Sequence, residues 1–426
     1  MRIWSAPEFR EKLMTWRGGG FLGGIEEEVR PVISDVFARG DDAVIDYTFR
    51  FDRASITRET MIVSRVEMEA ARARLPGDLL EALEFASERI RAFHELQRAR
   101  SLMTALPDGT LLGRIYRPLG RVGVYVPGGK ATYPSSVLMN CIPARVAGVE
   151  EIIMCTPPSR DGAVADAVLV AADLAGVTRV IRVGGPQAIA AMACGTGAIP
   201  KVDKIVGPGG AYVTAAKRLV WGLVDIDMLA GPSEIMIIAD EDADEDFVAA
   251  DLVSQAEHDA LAQAILVTPS RGLAHAIIER VAEMLKGFER RGIAEKALED
   301  YGAVVLVSGM DEAVELANLY APEHLSLQVR DGFSLLGRIH NAGSIFVGPY
   351  SPVPAGDYAA GPNHVLPTGG TARFGSALGV EAFMKASNVI ACSRDGLRAI
   401  SEAVCTIAGA EGLVGHAAAI RARLKS

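Results

Sequence analysis

The strongest constraint on this chain is a change of rhythm near residue 121. From there to about residue 347, short apolar runs rich in Val and Ile alternate with helical stretches, and glycine turns sit at many of the joints. The pattern predicts strands over 122–126, 151–156, 179–183, 204–206, 235–239, 264–268, 304–307, 325–329 and 344–347. Helices are predicted between them, over 162–175, 186–193, 211–221, 244–258 and 273–288. Runs that are apolar throughout, not on alternate residues, must be buried on both faces. Mostly parallel sheets covered by helices on each side meet that requirement. The rhythm restarts after Gly231-Pro232-Ser233, so there are two successive α/β units, without a sequence repeat that relates them.

The flanks read differently. Residues 1–22 form an arm with a helical pattern over 7–16, ending in the hinge-like clusters Gly18-Gly19-Gly20 and Gly23-Gly24. Residues 25–98 are mainly helical: Val29, Val32, Ile33, Val36 and Phe37 keep a 3.6-residue spacing, as do Leu79, Leu80, Leu83 and Ala86. After Gly369-Gly370 the chain turns alanine-rich, with helices expected over 383–386, 397–408 and 417–424. That tail is too short for its own core and must pack on the body or on a second subunit. The expected fold is therefore α/β, with two incomplete Rossmann-like domains and small helical extensions at both ends. The expected division is an arm (1–22), a first α/β domain (23–122 with 234–370), a second (123–233) and a tail (371–426).

Composition narrows the partners. The 426 residues carry a net charge of −10, which argues against a non-specific phosphate-backbone binder. No apolar run is long and uncharged enough to span a bilayer, and the amino terminus has no apolar signal core. Five cysteines without a Cys-x-x-Cys pair disfavour both a disulfide framework and a thiolate metal site. A cytoplasmic protein, with neither nucleic acid nor membrane as partner, is expected.

Several segments carry candidate chemistry. Gln255 and His258 stand three apart, so on a helix they share a face and can present an amide oxygen and an imidazole to one cation. The same spacing suits a polar helix C-terminus, where histidine favours the dipole. Asp357 lies in a Gly/Pro-rich loop followed by Gly361-Pro362-Asn363-His364, which offers a further carboxylate and imidazole or a simple Asx turn. Glu323 and His324 are adjacent after Pro322. Adjacent side chains diverge, and a carboxylate and a histidine so placed can serve different protons or just decorate a surface turn. Glu411 and His416, five apart across Gly412 and Gly415, mean little alone. The turns Pro127-Gly128-Gly129, Gly184-Gly185-Pro186-Gln187 and Gly207-Pro208-Gly209-Gly210 each follow a strand and precede a helix, where backbone N–H groups can approach phosphate. None has the ordinary dinucleotide-binding spacing. The acidic run 240–246 lacks the glycine and glutamate of a calcium loop and reads as a helix N-terminus.

Taken in order, the segments resemble the histidinol dehydrogenase family over about residues 25–420. The carrying motifs are Val124-Tyr-Val-Pro-Gly-Gly, Tyr133-Pro-Ser-Ser, Val183-Gly-Gly-Pro-Gln, Val206-Gly-Pro-Gly, Ala230-Gly-Pro-Ser-Glu, Ser254-Gln-Ala-Glu-His, Ala321-Pro-Glu-His-Leu, Gly356-Asp-Tyr, Gly361-Pro-Asn-His and Glu411-Gly-Leu. The resemblance implies an NAD-linked oxidoreductase of histidine biosynthesis, an amino-acid biosynthesis pathway. It would take L-histidinol through L-histidinal to L-histidine with two NAD. It implies one zinc (Zn2+) per subunit on Gln255, His258, Asp357 and His416. Glu323 and His324 would be catalytic, with His324 the base and Glu323 activating water. Ser233 and Glu411 would hold the substrate along with the metal ligands and His324. NAD would contact Tyr125, Gln187 and the position of Gly210, where the family commonly carries asparagine. The family is a homodimer whose active site is shared, with Glu411 and His416 supplied by the other subunit. A paralogue oxidising another small polar alcohol or diol, and a non-catalytic α/β scaffold, are the competing readings.

Overall fold

Residues 1–17, 23–128 and 132–425 are described by the computed structural model. The Gly18-Gly19-Gly20 hinge and Gly129 of the first glycine turn lie outside them. The chain opens with strand β1 (Arg2–Ser5) and helix α1 (Ala6–Arg17), followed by α2 (Ile25–Arg39), α3 (Asp41–Asp52), α4 (Arg65–Arg74) and α5 (Gly77–Glu95). Two strands come next, β2 (Leu102–Ala105) and β3 (Leu111–Pro118). The first alternating series is β4 (Arg121–Tyr125), α6 (Pro134–Ala147), β5 (Glu151–Cys155), α7 (Asp166–Leu174), β6 (Arg179–Ile181), α8 (Gly185–Cys194), β7 (Lys204–Val206), α9 (Ala211–Val220) and β8 (Asp225–Ile226). The second is β9 (Glu234–Ala239), α10 (Glu245–Ala256), β10 (Gln263–Thr268), α11 (Arg271–Leu285), α12 (Arg291–Asp300), β11 (Ala303–Leu306), α13 (Met310–Tyr320), β12 (His324–Gln328), β13 (Ser344–Val347) and α14 (Val353–Tyr358). The chain closes with β14 (Met384–Ala391), α15 (Arg394–Ala410) and α16 (Val414–Leu424).

Both series form parallel sheets, as the apolar runs require. One has five strands in the order β6-β5-β4-β7-β8, the other six in the order β1-β11-β10-β9-β12-β13. Every residue of β9 is buried. Ile235 and Ile237 pack with α10–α12, whereas Met236 and Ile238 pack with α1 and α13. That is the period-two split of a strand covered on both sides. Asp244 caps α10 by accepting from the Asp246 and Phe247 amides, so the acidic run is a helix start, as its composition predicts.

The flanks depart from the expected plan in three places. Helices α2–α5 bury their apolar stripes against α6–α9 of the five-stranded sheet, not against the six-stranded one with which residues 23–122 were grouped. An apolar stripe states that a helix is covered but not by what. The amino-terminal arm is also part of the body: β1 pairs with β11, and Ala6, Phe9 and Leu13 are buried on the six-stranded sheet. Residues 383–386, expected as helix, instead lead into β14. This strand runs antiparallel to β3 from Met384↔Pro118 to Ala391↔Leu111, with β2 on the far side. Tertiary pairing overrides alanine's helical preference there.

Candidate active site

A cavity of about 610 Å³ lies between the two parallel sheets. From the five-stranded unit it is lined by Pro127 after β4, Tyr133 and Ser135 at the start of α6, and Gly207–Gly210 between β7 and α9. From the six-stranded unit come Ser233 just before β9, Gln255 and His258 at the end of α10, and Glu323 and His324 at the start of β12. Asp357 near the end of α14 and His364 in the following loop complete the wall. The volume suits a small polar ligand together with part of a larger one.

The geometry explains how each group is held. His324 opens β12, whose pairing with β9 fixes its height (His324↔Ile235). Its Nδ1 donates to the Glu234 carbonyl at 3.0 Å, while Nε2 has no hydrogen-bond partner among the described residues. Glu323 accepts from the Glu234 amide at 2.8 Å, and its Oε2 sits 3.6 Å from His324 Nδ1. The two adjacent side chains therefore stay close, where simple strand alternation predicts divergence, because Glu323 precedes the strand. Asp357 Oδ1 lies 3.9 Å from His324 Nε2. The Asp357 carbonyl accepts from His364 Nδ1 at 2.9 Å, which ties the Gly361–His364 loop to the site. Gln255 is buried and its amide nitrogen is unpartnered.

Burial dominates the electrostatics. It pushes Asp357 up to about 7 and Glu323 well above the ordinary carboxylate range. For Glu323 the Glu234 amide opposes the shift, and the charges of Glu234 and Asp357 add to it. Burial also pushes His324 and His364 down to about 4 and lowers His258. The site therefore favours neutral imidazoles, which are ligands and bases, over imidazolium.

Seven of the predicted site residues meet in this cavity: Ser233, Gln255, His258, Glu323, His324, Asp357 and Gly210. Tyr125 and Gln187 do not line it. Both are buried at the start of α8, where the Tyr125 hydroxyl accepts from the Gly185 amide and the Gln187 side chain has no partner. Glu411 and His416 are exposed at the α15–α16 corner, away from the cavity. Gly210 has open space where a side chain would grow.

Sequence reasoning missed the buried pair Lys217–Asp227, which also lines the cavity, with side chains 3% and 1% exposed. Asp227 accepts from the Gly207 and Met228 amides at 2.7 and 2.6 Å, and Lys217 Nζ donates to the Gly207 carbonyl at 3.0 Å. Gly207 has φ +113°, and a Cβ there would strike the Tyr125 carbonyl, so the pair clamps a turn that only glycine can make. The one sequence signal was that Lys217 falls at helical spacing from Val213 and Val220, on the face that is buried, whereas its neighbour Arg218 is exposed.

The family model for histidinol dehydrogenase matches residues 21–424. The histidinol dehydrogenase of Moorella thermoacetica is 55% identical over 400 residues, covering 94% of each chain. That of Heliobacterium mobile is 51% identical, also covering 94% of each. The crystal structure of histidinol dehydrogenase from Elizabethkingia anophelis superposes with a TM-score of 0.91 at 39% identity, covering 94% of this chain and 92% of that one. A match of this length, on a fold whose two sheets enclose the motif residues, means that the chain belongs to the histidinol dehydrogenase family of NAD-dependent oxidoreductases.

Proposed function

We propose that this enzyme oxidises L-histidinol to L-histidine through bound L-histidinal, reducing two NAD, and that Glu323 and His324 carry the proton transfers. The observation that carries the reading is the single cavity holding a neutral imidazole with a free nitrogen, a buried carboxyl beside it, and the potential ligands Gln255, His258 and Asp357. In the first step the alcohol carbon gives hydride to NAD while the hydroxyl proton goes to His324 Nε2. The aldehyde then takes up water, with Glu323 handling the water proton. The hydrate gives a second hydride to a second NAD, and its hydroxyl proton again goes to His324. Two NADH and three protons leave for each carboxylate formed, one from the alcohol, one from the hydrate and one from ionisation of the acid. The resident side chains fix the alcohol carbon before hydride leaves, which removes much of the entropic cost of the encounter.

Zinc fits the donor set, which is nitrogen and oxygen only. Gln255, His258 and Asp357 would hold it, with His416 of a second subunit as the fourth ligand. When bound, zinc supplies an electrophilic anchor for the substrate's imidazole. Gln255, His258 and Asp357 are three side chains, one fewer than zinc takes, which is why the fourth is placed on a partner. The apolar surface of the tail, where Ile390, Ile407 and Val414 are 72%, 60% and 72% exposed, supports a site completed across a dimer. Ser233 and the partner's Glu411 would grip the amino-alcohol end. Tyr125, Gln187 and the Gly210 turn would contact NAD. We place the enzyme in the cytoplasm, a reading supported by five unpaired cysteines. No helix among the described residues is long and apolar enough to cross a membrane.

The test is NADH formed per molecule of L-histidinol consumed, with and without a chelator, beside a panel of other small polar alcohols. Two NADH per L-histidinol, lost on metal removal and restored by zinc, is expected. Turnover of another alcohol but not L-histidinol would make this a paralogue, and turnover of none would remove the catalytic reading.

A further inference from the structure

Both acid–base side chains hang from the main chain of one residue. The Glu234 N–H donates to Glu323 Oε2, and the Glu234 carbonyl accepts from His324 Nδ1. A carbonyl can only accept, so Nδ1 carries the ring proton and the lone pair is left on Nε2. An N–H can only donate, so Oε2 is fixed as an acceptor. The main chain of one residue, through the two peptide groups that flank its Cα, thus sets the tautomer of one group and the orientation of the other.

The Glu234 side chain, with the residue 1% exposed, is engaged elsewhere. Its carboxylate takes the Tyr320 hydroxyl at 2.8 Å on Oε2 and the Gly369 amide at 3.0 Å on Oε1. The same hydroxyl lies 2.7 Å from the Gln263 side-chain oxygen. Tyr320 ends α13, and Ala321 after it adopts φ +49°, a left-handed conformation that costs a non-glycine residue on the order of 1 kcal/mol. Pro322, Glu323 and His324 follow. The segment from Tyr320 to His324 is therefore tied to Glu234 at both ends, by the phenol at its start and by Glu323 and His324 at its finish. Gly369 belongs to the stretch whose Thr368 side chain accepts from the Gly231 amide, so the same carboxylate also holds the loop beside the substrate position.

We propose that Glu234, held through its carboxylate by Tyr320, is the positioning residue that sets where the Glu323 carboxyl sits and which nitrogen of His324 faces the substrate. The inference rests on the function proposed above. It predicts a signature that a general packing role does not. The proposed metal ligands lie on other elements, and the Gly231–Thr368 hydrogen bond still ties the loop beside Ser233, so loosening Glu234 slows turnover more than it weakens binding.

The experiment compares zinc-loaded wild type with Y320F, E234A and E234Q for kcat, for KM with L-histidinol and for bound zinc. In Y320F and E234A, kcat is expected to fall roughly 10- to 100-fold, the loss typical of a misplaced catalytic group. KM should stay within about twofold and zinc content should be unchanged. E234Q should recover most of the rate. The introduced amide can accept from Gly369 and donate to the phenol oxygen, which then donates to Gln263. Unchanged kcat in Y320F and E234A would overturn the proposal. So would a loss confined to KM or to zinc content, or an E234Q as slow as E234A. Should E234A fail to fold, Y320F, which removes one oxygen, decides alone. A wild type that does not oxidise L-histidinol overturns the function itself, whereas an active wild type with unaffected variants overturns only the positioning role.

Discussion

Removing either member of the Lys217–Asp227 pair should cost far more than a surface ion pair. The two side chains are 3% and 1% exposed, so neither charge has water to fall back on. In K217M the Asp227 carboxylate stays buried but keeps the Gly207 and Met228 amides as donors. In D227N the Lys217 ammonium stays buried with only the Gly207 carbonyl, and three donors compete for one amide oxygen. Stranding one partner of a buried pair costs about 3–5 kcal/mol, with K217M at the lower end and D227N at the upper. The double variant K217M/D227N removes both charges and loses two or three hydrogen bonds around Gly207, so it should cost about 3 kcal/mol. Either single alone should lower the melting temperature by about 6–15 °C for a unit of this size.

The assay is thermal and urea unfolding of the three variants, read as a double-mutant cycle, together with KM for NAD. With the singles near about 3 and about 5 kcal/mol and the double near about 3, a coupling of about 5 kcal/mol is expected. In the singles, KM for NAD should rise because the clamped turn, Gly207 to Gly210, is the proposed cofactor contact. Single variants within about 1 kcal/mol of wild type, or a double variant equal to the sum of the singles, would refute the reasoning. Either would mean that water reaches the pair.

Other expectations follow from particular residues. G210N should lower KM for NAD. The position has ordinary φ (−65°) at the start of α9 and open space beyond its Cα, and stability should move by only a few tenths of a kcal/mol, since asparagine and glycine both cap helices. Mixing inactive H416A with inactive H324A protein and allowing subunits to exchange should restore roughly a quarter of wild-type activity, because only mixed dimers carry one intact shared site. No recovery would place both residues in one subunit's site. Asp251, buried in α10, has its carboxyl pushed by burial from 3.8 to about 6. The fold therefore prefers its neutral form, and stability from this group falls as pH rises from about 4 to 6. D251N should then be more stable than wild type at pH 7 by up to about 3 kcal/mol, with the difference vanishing below pH 4 in chemical unfolding.

What the sequence exposed and what it hid divides along physical lines. Apolar runs reveal strands covered on both faces, so β4 to β7 and β9 to β13 were legible. The Gln255–His258 spacing, read as one helix face, fares differently: α10 ends at Ala256, so His258 stands just past the helix, and both still line the cavity because the turn after the helix end is equally local. Residues 23–122 were assigned to the wrong sheet because a helical stripe carries no address. Strand β14 was hidden because its pairing with β3 depends on residues some 270 positions away. Glu234 passed unnoticed for a different reason: its proposed work is done by its main-chain N–H and C=O, which nearly every residue possesses, and only register against β12 gives them their partners.

The placement of the cavity accounts for a dinucleotide enzyme without the usual glycine fingerprint. In a parallel α/β sheet the helices run opposite to the strands, so helix N-termini gather at the carboxyl edge and helix C-termini at the amino edge. The five-stranded unit presents its carboxyl edge to the cavity, with the starts of α6 and α9 at Ser135 and Ala211. Unpaired N–H groups and the positive dipole end favour phosphate there. The six-stranded unit presents its amino edge, with the end of α10 at Gln255 and the starts of β9 and β12 at Ser233 and His324. Helix C-termini favour cations. One cleft therefore has an anion-favouring wall opposite a cation-favouring wall. Under the proposed function the anionic dinucleotide would lie against the first wall and the metal with its ammonium-bearing substrate against the second, leaving hydride only the gap between them to cross. The rule that ligands bind beyond the carboxyl ends of strands holds for one sheet and is reversed in the other. That reversal sets two walls of opposite electrostatic preference face to face.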